Sequence, residues 1–205
     1  AADGGTDQRD EVGDAHEQIQ VFAKRAGAGI MVHRGEQPRD GQVRLLARLA
    51  AGGLLDRFAG IDAARESASG PVIGIAEAAM HAASFLGRGF SVVTPLGRTV
   101  GRAQDLANHY GFGRHCLGIH ACDMPVLDLE TDPDARKIVT EACRVAVETD
   151  GSDAVVLGCA GMADLCQHIS AEIGVPVVDG VAAGTLFVQS LVTLGLSTGK
   201  RGEFA

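Results

Sequence analysis

From Ile61 onward the chain alternates short apolar runs with longer stretches in which apolar residues recur every three or four positions. The short runs predict buried strands, at Pro71–Ile75, Phe90–Thr94, Cys116–Ala121, Ala154–Leu157 and Val175–Val178. The longer stretches predict helices, at Asp62–Ser67, Glu77–Leu86, Arg98–His109, Thr131–Thr149, Met162–Glu172 and Ala182–Leu194. Strands that alternate with helices in this way indicate crossover units, so we predict an α/β fold with a parallel sheet.

The pattern before Ile61 is less regular. Ile19–Ala23 and Gly29–His33 have the composition of short strands. Gln42–Phe58 carries leucines among arginines and alanines, which predicts a helix interrupted at Gly52–Gly53.

Composition narrows the classes of partner and compartment. Of the 205 residues, 46% are hydrophobic and 21% are charged, which is typical of a folded globular protein. The net charge of −8 and the lack of a basic cluster argue against nucleic acid and anionic membranes as partners. No apolar run is long enough to predict a membrane span. The five cysteines are an odd number, and the start lacks a signal-peptide pattern, so we expect reduced thiols in the cytoplasm.

Cys159 lies in the turn between the predicted strand Ala154–Leu157 and the helix that follows it. Ligands of open α/β sheets bind at this edge, where strands end and helices begin. The backbone N–H groups of Ala160, Gly161 and Met162 are expected to point toward an anion there, and the same field favours a thiolate. Position alone leaves two interpretations open, a reactive base or nucleophile and a small apolar residue of the core.

Thr94 ends the predicted strand Phe90–Thr94, so we expect it at the same sheet edge as Cys159. Its hydroxyl is suited to hold a carbonyl or carboxylate beside the thiol. The alternative role for Thr94 is that of a helix cap.

Other chemical motifs are incomplete. Gly195–Lys200 resembles a phosphate loop, but it is one residue short between its glycines and is followed by Arg201. A second candidate is a group of possible metal ligands, His115, Cys116, His120 and Cys122. Strand alternation predicts that His115 faces away from the other three, and the spacing is not that of a zinc site. Because of this spacing we predict no metal. The sequence also has no nucleophile elbow and no glycine-rich dinucleotide loop after a strand, so we predict no dinucleotide.

Four separated segments resemble the hydantoin racemases, in that family's order. They are Gly-Pro-Val-Ile-Gly-Ile-Ala-Glu-Ala-Ala at 70–79, Phe-Ser-Val-Val-Thr at 90–94, Val-Val-Leu-Gly-Cys-Ala-Gly-Met-Ala-Asp-Leu at 155–165 and Val-Pro-Val-Val-Asp-Gly-Val at 175–181. The hydantoin racemases belong to the cofactor-independent aspartate/glutamate racemase superfamily. The resemblance covers residues 60–204.

The resemblance implies two similar parallel-sheet α/β lobes with the active site in the cleft between them. It assigns residues 1–89 and 186–205 to the first lobe and residues 90–185, with Cys159, to the second. It implies racemisation of 5-monosubstituted hydantoins by two facing cysteines, of which one thiolate removes the hydrogen at carbon 5 and the opposite thiol returns one. It also implies a small-molecule substrate, no cofactor and a homo-oligomer.

Individual residues follow the family unevenly. Cys159 matches the family's second cysteine, Thr94 matches a threonine that contacts substrate, and Ala160 and Gly161 match the backbone donors. Pro95 stands where the family often has a second threonine, and we count it among the substrate-binding residues.

The family's first cysteine has no counterpart. The aligned stretch is residues 54–59, and no cysteine precedes Cys116. Residues 1–59 match nothing in the family, and the Arg/Gly/Ala/Leu-rich composition of residues 34–59 is what an out-of-frame reading of a GC-rich gene gives. We therefore interpret this first segment as frameshifted or otherwise replaced.

Three functions are compatible with these residues. The first is a cofactor-independent hydantoin racemase, impaired by the missing cysteine. The second is a one-cysteine enzyme of the superfamily similar to arylmalonate decarboxylase, which protonates an enolate after loss of carbon dioxide. The third is a non-catalytic paralogue whose cleft binds small molecules. The motifs favour the racemase, whereas the missing cysteine favours the decarboxylase.

Overall fold

The computed structural model describes residues 29–32, 45–46 and 57–205, in which strands alternate with helices. The strands are β1 (Gly29–Val32), β2 (Leu45–Leu46), β3 (Val72–Gly74), β4 (Phe90–Thr94), β5 (Cys116–Ala121), β6 (Ala154–Leu157) and β7 (Val177–Asp179). The α-helices are α1 (Arg57–Ser67), α2 (Ile75–Ser84), α3 (Val100–His109), α4 (Asp128–Thr131), α5 (Ala135–Asp150), α6 (Cys166–Ile173) and α7 (Gly180–Thr193). Short 3₁₀ turns cover Gly97–Thr99, Ala160–Leu165 and Gly202–Phe204.

The main sheet is parallel, with its four strands in the order β5–β4–β6–β7. The central strands β4 and β6 are buried along their whole length. Continuous apolar runs are expected for strands that are covered on both faces. The predicted α/β fold with a parallel sheet is therefore confirmed.

Successive residues of β4 pack on opposite faces of this sheet. Phe90 and Val92 belong to an apolar cluster that includes α2 and α3, whereas Val93 belongs to a second cluster with α5 and α6. The two clusters cover the two faces of the sheet and make a three-layer structure. Because the four strands of this sheet are parallel, their carboxyl ends meet at one edge, beside the amino ends of the helices that follow.

The strands β1, β2 and β3 form a second, smaller sheet in the order β2–β1–β3, in the region that the resemblance assigned to the first lobe, and they pair differently from the prediction. β1 pairs antiparallel with both β2 and β3, whereas the resemblance implied a parallel sheet in this lobe. The parallel expectation rested on segments from residue 60 onward, and β1 and β2 come from the part of the chain without that resemblance. An antiparallel pair also needs only a return of the chain, whereas a parallel pair needs a crossover.

Two further expectations concern the same region. The strand predicted at Gly29–His33 is confirmed as β1. The helix predicted at Gln42–Phe58 is wrong at Leu45 and Leu46, which form β2 instead. Backbone pairing with β1 prevails there over a weak helical pattern. The strand predicted at Ile19–Ala23 lies outside the described residues.

All six predicted helices begin at other residues than predicted, and side-chain hydrogen bonds accompany two of these shifts. The helix expected to start at Thr131 starts at Ala135, because the Thr131 hydroxyl donates to the Leu127 carbonyl of the preceding short helix instead of capping a new one. Helix α7 starts at Gly180, where the Asp179 carboxylate accepts from the backbone N–H groups of Val181 and Ala182.

The Gly195–Lys200 segment ties the chain's last residues to α1. Lys200 Nζ donates to the carbonyl oxygens of Arg65 and Glu66 at the end of that helix, at 2.6 and 2.5 Å. The Thr198 hydroxyl donates to the Gly70 carbonyl.

Among the described residues, no helix has both the length and the apolar character required to cross a membrane.

Candidate active site

The carboxyl ends of β4 and β6 lie in close contact. The Gly158 N–H donates to the Val93 carbonyl at 2.8 Å, which extends the pairing of the two strands by one residue. A Cβ at Gly158 would lie 3.1 Å from the Cβ of Thr94, a separation tighter than most real Cβ contacts. Only glycine therefore fits between the two strand ends without a shift, and it brings the Thr94 side chain beside the backbone that leads into Cys159.

Cys159 is a half-buried free thiol in extended backbone, immediately before the 3₁₀ turn Ala160–Leu165. A Cβ at Gly161 would lie 3.7 Å from Cys159 Sγ, so the sulfur lies over the start of this turn. The Met162 N–H is not available to a ligand, contrary to the prediction, because it donates to the Cys159 carbonyl at 3.0 Å. The N–H groups of Ala160 and Gly161 precede this first bond of the turn, so they have no acceptor within it.

Thr94 takes part in a chain of hydroxyl groups. Its Oγ1 lies 2.7 Å from Thr99 Oγ1, and Thr99 Oγ1 lies 2.6 Å from the Leu96 carbonyl oxygen. A carbonyl only accepts, so the single hydroxyl proton of Thr99 goes to Leu96, and Thr94 must be the donor to Thr99. Thr94 therefore keeps free lone pairs but no free proton.

The direction of these two hydrogen bonds changes the role expected for Thr94. A hydroxyl that has already donated its proton cannot also donate to a substrate carbonyl or carboxylate. The capping alternative does not describe Thr94 either, since its hydroxyl bonds to a side chain. Thr99 is not among the residues predicted for the site. The available signal was a second hydroxyl residue at the start of the next helix.

Pro95 follows Thr94 and is buried. Its carbonyl accepts from the Met124 N–H at 2.8 Å, and Cys122 Sγ lies 3.7 Å from the same oxygen. Because proline has no N–H, the apolar ring is the part of Pro95 that is left to contact a ligand.

The other four cysteines are held as thiols by their surroundings. Burial raises the pKa of Cys116 from 9.0 to about 11 and raises the pKa of Cys143 and Cys166 to about 12. Burial also raises the pKa of Cys122. A buried thiolate without a cation is unfavourable, so these four residues are poor candidates for a base at neutral pH.

The possible metal ligands of the sequence analysis are dispersed. A bulge shifts the register between Phe90 and Ser91, so Cys116 packs with α2 and α3 while Cys122 packs with α5 and α6. The prediction that Cys116, His120 and Cys122 share a face is therefore wrong. His120 Nε2 donates to Asp150 Oδ2 at 2.8 Å. Within residues 29–32, 45–46 and 57–205, no three His, Cys, Asp or Glu side chains are grouped as metal ligands would be.

The helix α2, which follows β3 of the smaller sheet, begins beside this edge of the main sheet. A Cβ at Gly180 would lie 2.5 Å from the Ile75 carbonyl oxygen, so the first turns of α2 and α7 are in direct backbone contact. Since α2 follows the carboxyl end of β3 and α7 follows that of β7, strand ends of both sheets lie close together.

Residues 55–188 match the model of the Asp/Glu/hydantoin racemase family. The chain belongs to the Asp/Glu/hydantoin racemase family. The resemblance predicted from four short segments is therefore confirmed, and the match begins in the region where the resemblance in the sequence began.

A hydantoin racemase and two allantoin racemases are each similar to 71% or more of the chain. A hydantoin racemase of Rhizobium meliloti is 45% identical over 147 residues, which are 71% of this chain and 61% of that protein. The structure of allantoin racemase from Klebsiella pneumoniae has a TM-score of 0.69 and 53% identity over 71% of this chain and 60% of that one. Allantoin racemase from Pseudomonas fluorescens has a TM-score of 0.71 and 31% identity over 92% and 90% of the two chains. The chain spans about three fifths of the length of the hydantoin racemase.

Proposed function

We propose that this protein acts on 5-monosubstituted hydantoins, with Cys159 as the base that moves the proton at carbon 5. The relatives act, by their names, on hydantoins and on allantoin, which is itself a hydantoin with a ureido group at carbon 5. The observation that carries the proposal is the position of Cys159 Sγ over a turn whose first two N–H groups have no acceptor within the turn.

The chemistry needs only groups of this chain. The hydrogen at carbon 5 is weakly acidic because the adjacent carbonyl delocalises the charge of the carbanion. In the proposal the Cys159 thiolate takes this proton, and the N–H groups of Ala160 and Gly161 donate to the enolate oxygen. One such donor is typically worth ~3 kcal/mol, and a positioned base about 10²–10⁴-fold in rate. No metal or other cofactor enters this scheme. Homo-oligomer assembly and a cytoplasmic location stay predictions from the sequence.

Loss of the first cysteine sets the expected outcome. With one thiol, the proton leaves and returns on the same face of the ring, so we expect exchange of hydrogen for solvent deuterium at carbon 5 with little inversion. A full racemase would instead invert the configuration at about the rate of exchange.

The test is proton NMR in deuterium oxide on each enantiomer of a hydantoin with an aliphatic 5-substituent, combined with chiral chromatography. We expect one enantiomer to lose its carbon-5 signal faster than the other and to retain its configuration. Cys159→Ser should abolish the effect, whereas Cys166→Ser, at a half-buried thiol whose pKa is raised by burial, should not. A Cys159→Ser protein that exchanges at the parental rate would defeat the assignment.

A decarboxylase similar to the one-cysteine enzymes of the superfamily is the second candidate, and the missing cysteine favours it. Its substrate carries carboxylates, which require hydrogen-bond donors. Thr94 offers only lone pairs, which favours a ring that has N–H groups beside its carbonyls. Release of carbon dioxide from a disubstituted malonate would support the decarboxylase. A folded protein without either activity would support a non-catalytic paralogue.

A further inference from the structure

We infer that Thr99 is a positioning residue that fixes Thr94 as a hydrogen-bond acceptor for a ring N–H of the substrate. The inference rests on the proposed function and extends it to the part of the hydantoin that is recognised. It starts from the proton count along the three groups Leu96, Thr99 and Thr94.

The Leu96 carbonyl determines which hydroxyl donates in each of these hydrogen bonds. The Leu96 carbonyl has no proton to give, and the 2.6 Å distance to Thr99 Oγ1 is that of an O–H···O bond. Thr99 thus accepts from Thr94 at 2.7 Å. Thr94 is only 3% exposed, so no bulk water competes for its proton.

The same strand ends then present two opposite polarities. The N–H groups of Ala160 and Gly161 donate, whereas Thr94 Oγ1 accepts. A hydantoin ring has carbonyls next to N–H groups, so it offers both an acceptor and a donor within one planar unit. The backbone N–H donors and the Thr94 acceptor are therefore complementary to the adjacent carbonyl and N–H of the ring. A carboxylate would instead place a negative oxygen against the lone pairs of Thr94.

The chemical test pairs a change in the protein with a change in the ligand. Thr99→Val removes the hydroxyl that holds the Thr94 proton, and Thr99→Ser keeps it. The ligands are a 5-substituted hydantoin and its two ring-methylated forms, at N1 and at N3. Affinity is measured by calorimetry, and deuterium exchange at carbon 5 is measured separately.

We expect methylation at one of the two nitrogens to weaken binding to the parental protein. Thr99→Val should weaken binding of the unmethylated ring about ten-fold and leave binding of that methylated ring unchanged, so that the two effects are not additive. Thr99→Ser should restore the parental pattern. Thr193→Val removes a hydroxyl that donates to the Gln189 carbonyl on α7, so it is the matched control and should change nothing.

The outcomes separate the inference from the proposed function. If the parental protein exchanges the carbon-5 hydrogen but Thr99→Val binds all three rings in the parental ratio, the inference fails and the function stands. If the rings bind with the expected coupling but no hydrogen exchanges, the function fails and the inference stands. A parental protein that binds none of the rings overturns both. Thermal melting of Thr99→Ser and Thr99→Val shows whether each variant is folded.

Discussion

Strand β4 has a buried hydroxyl side chain near each end, and the two hydroxyls are used differently. Ser91, near the amino end, is fully buried and lies 2.5 Å from Asp150 Oδ2 and 3.0 Å from Ser152 Oγ. The carboxylate can only accept, so the Ser91 hydroxyl donates to Asp150, and Ser91 Oγ is also in hydrogen-bond contact with Ser152 Oγ. His120 donates to the same Asp150 oxygen. All groups of this network have partners within the protein.

The carboxyl end of the strand leaves hydrogen-bonding capacity unused. Thr94 has donated its proton and keeps its lone pairs, and the first two N–H groups of the turn after Cys159 have no acceptor within it. Buried polar groups are normally paired, so unused capacity at one end of a sheet indicates a place for a ligand. The two ends therefore use the same kind of side chain differently. At the amino end the hydroxyl is paired within the protein and stabilises the fold, whereas at the carboxyl end it keeps lone pairs for the ligand of the proposed function.

The largest expected effect is at Cys159. Cys159→Ser should lower the rate of deuterium exchange by at least about 10³-fold, since a hydroxyl is a much weaker acid than a thiol and is not ionised at neutral pH. The melting temperature should stay within a few degrees of the parental value, because the side chain is half-buried and has nearly the same shape. Exchange kinetics and thermal melting on the same samples measure the two effects. A large fall in melting temperature would assign Cys159 to the fold instead.

The opposite result is expected at the amino end. Asp150→Ala leaves the Ser91 hydroxyl and the His120 ring without their acceptor, so the free energy of unfolding should fall by about 3 kcal/mol. The exchange rate per folded molecule should change less than two-fold. Urea titration measures the stability, and Asp105→Ala, at an exposed position of α3, is the control with an expected change below about 0.5 kcal/mol. An equal fall in the free energy of unfolding of Asp150→Ala and Asp105→Ala would contradict a structural role for the Asp150 network.

Much of this division between the two ends is predictable from the sequence. Continuous apolar runs predicted the buried strands β4 and β6, and the parallel sheet that follows from them brought Thr94 and Cys159 to one edge. The resemblance then favoured the reactive interpretation of Cys159. The predictions of the strands and of their shared edge succeeded because burial on both faces leaves a direct mark on composition. The reactive interpretation of Cys159 stays a prediction.

The remaining features depend on the path of loops, which no periodicity encodes. The bond between Thr94 and Thr99 requires the chain to fold back after Pro95. The Thr131 hydroxyl donates to the Leu127 carbonyl instead of capping the helix that was predicted to start there. The bulge in β5 likewise moved Cys116 to the other face of the sheet. Each is a choice between local hydrogen-bond partners, which the sequence presents as nearly equivalent.

A smaller effect is expected where the two strand ends meet. A methyl group at Gly158 would lie 3.1 Å from the Thr94 Cβ and 3.2 Å from the Val93 carbonyl oxygen, so Gly158→Ala must move Thr94 away from the Cys159 backbone. We expect the exchange rate to fall about ten-fold and the free energy of unfolding to fall by about 1–2 kcal/mol. Gly101→Ala in α3, where nothing lies within 4 Å of the new methyl group, should instead leave activity unchanged and stabilise the helix slightly. Parental activity in Gly158→Ala would show that the separation of the two residues is not critical.

The smallest effect is expected at Cys143, a fully buried thiol of the core. Burial raises the pKa of Cys143 from 9.0 to about 12, so above pH 9 this thiol ionises in the unfolded chain but not in the folded one. The unfolded state then binds fewer protons, and stability falls as the pH rises from 9 toward 12. Between pH 8 and pH 10, Cys143→Ala should remove about 1 kcal/mol of the decline in the free energy of unfolding, measured by urea titration with a reductant present. Val139→Ala, a fully buried neighbour on α5 without a thiol, should lower stability equally at both pH values and leave the decline unchanged. An unchanged decline in Cys143→Ala would mean that the Cys143 thiol ionises in the folded protein as readily as in the unfolded chain.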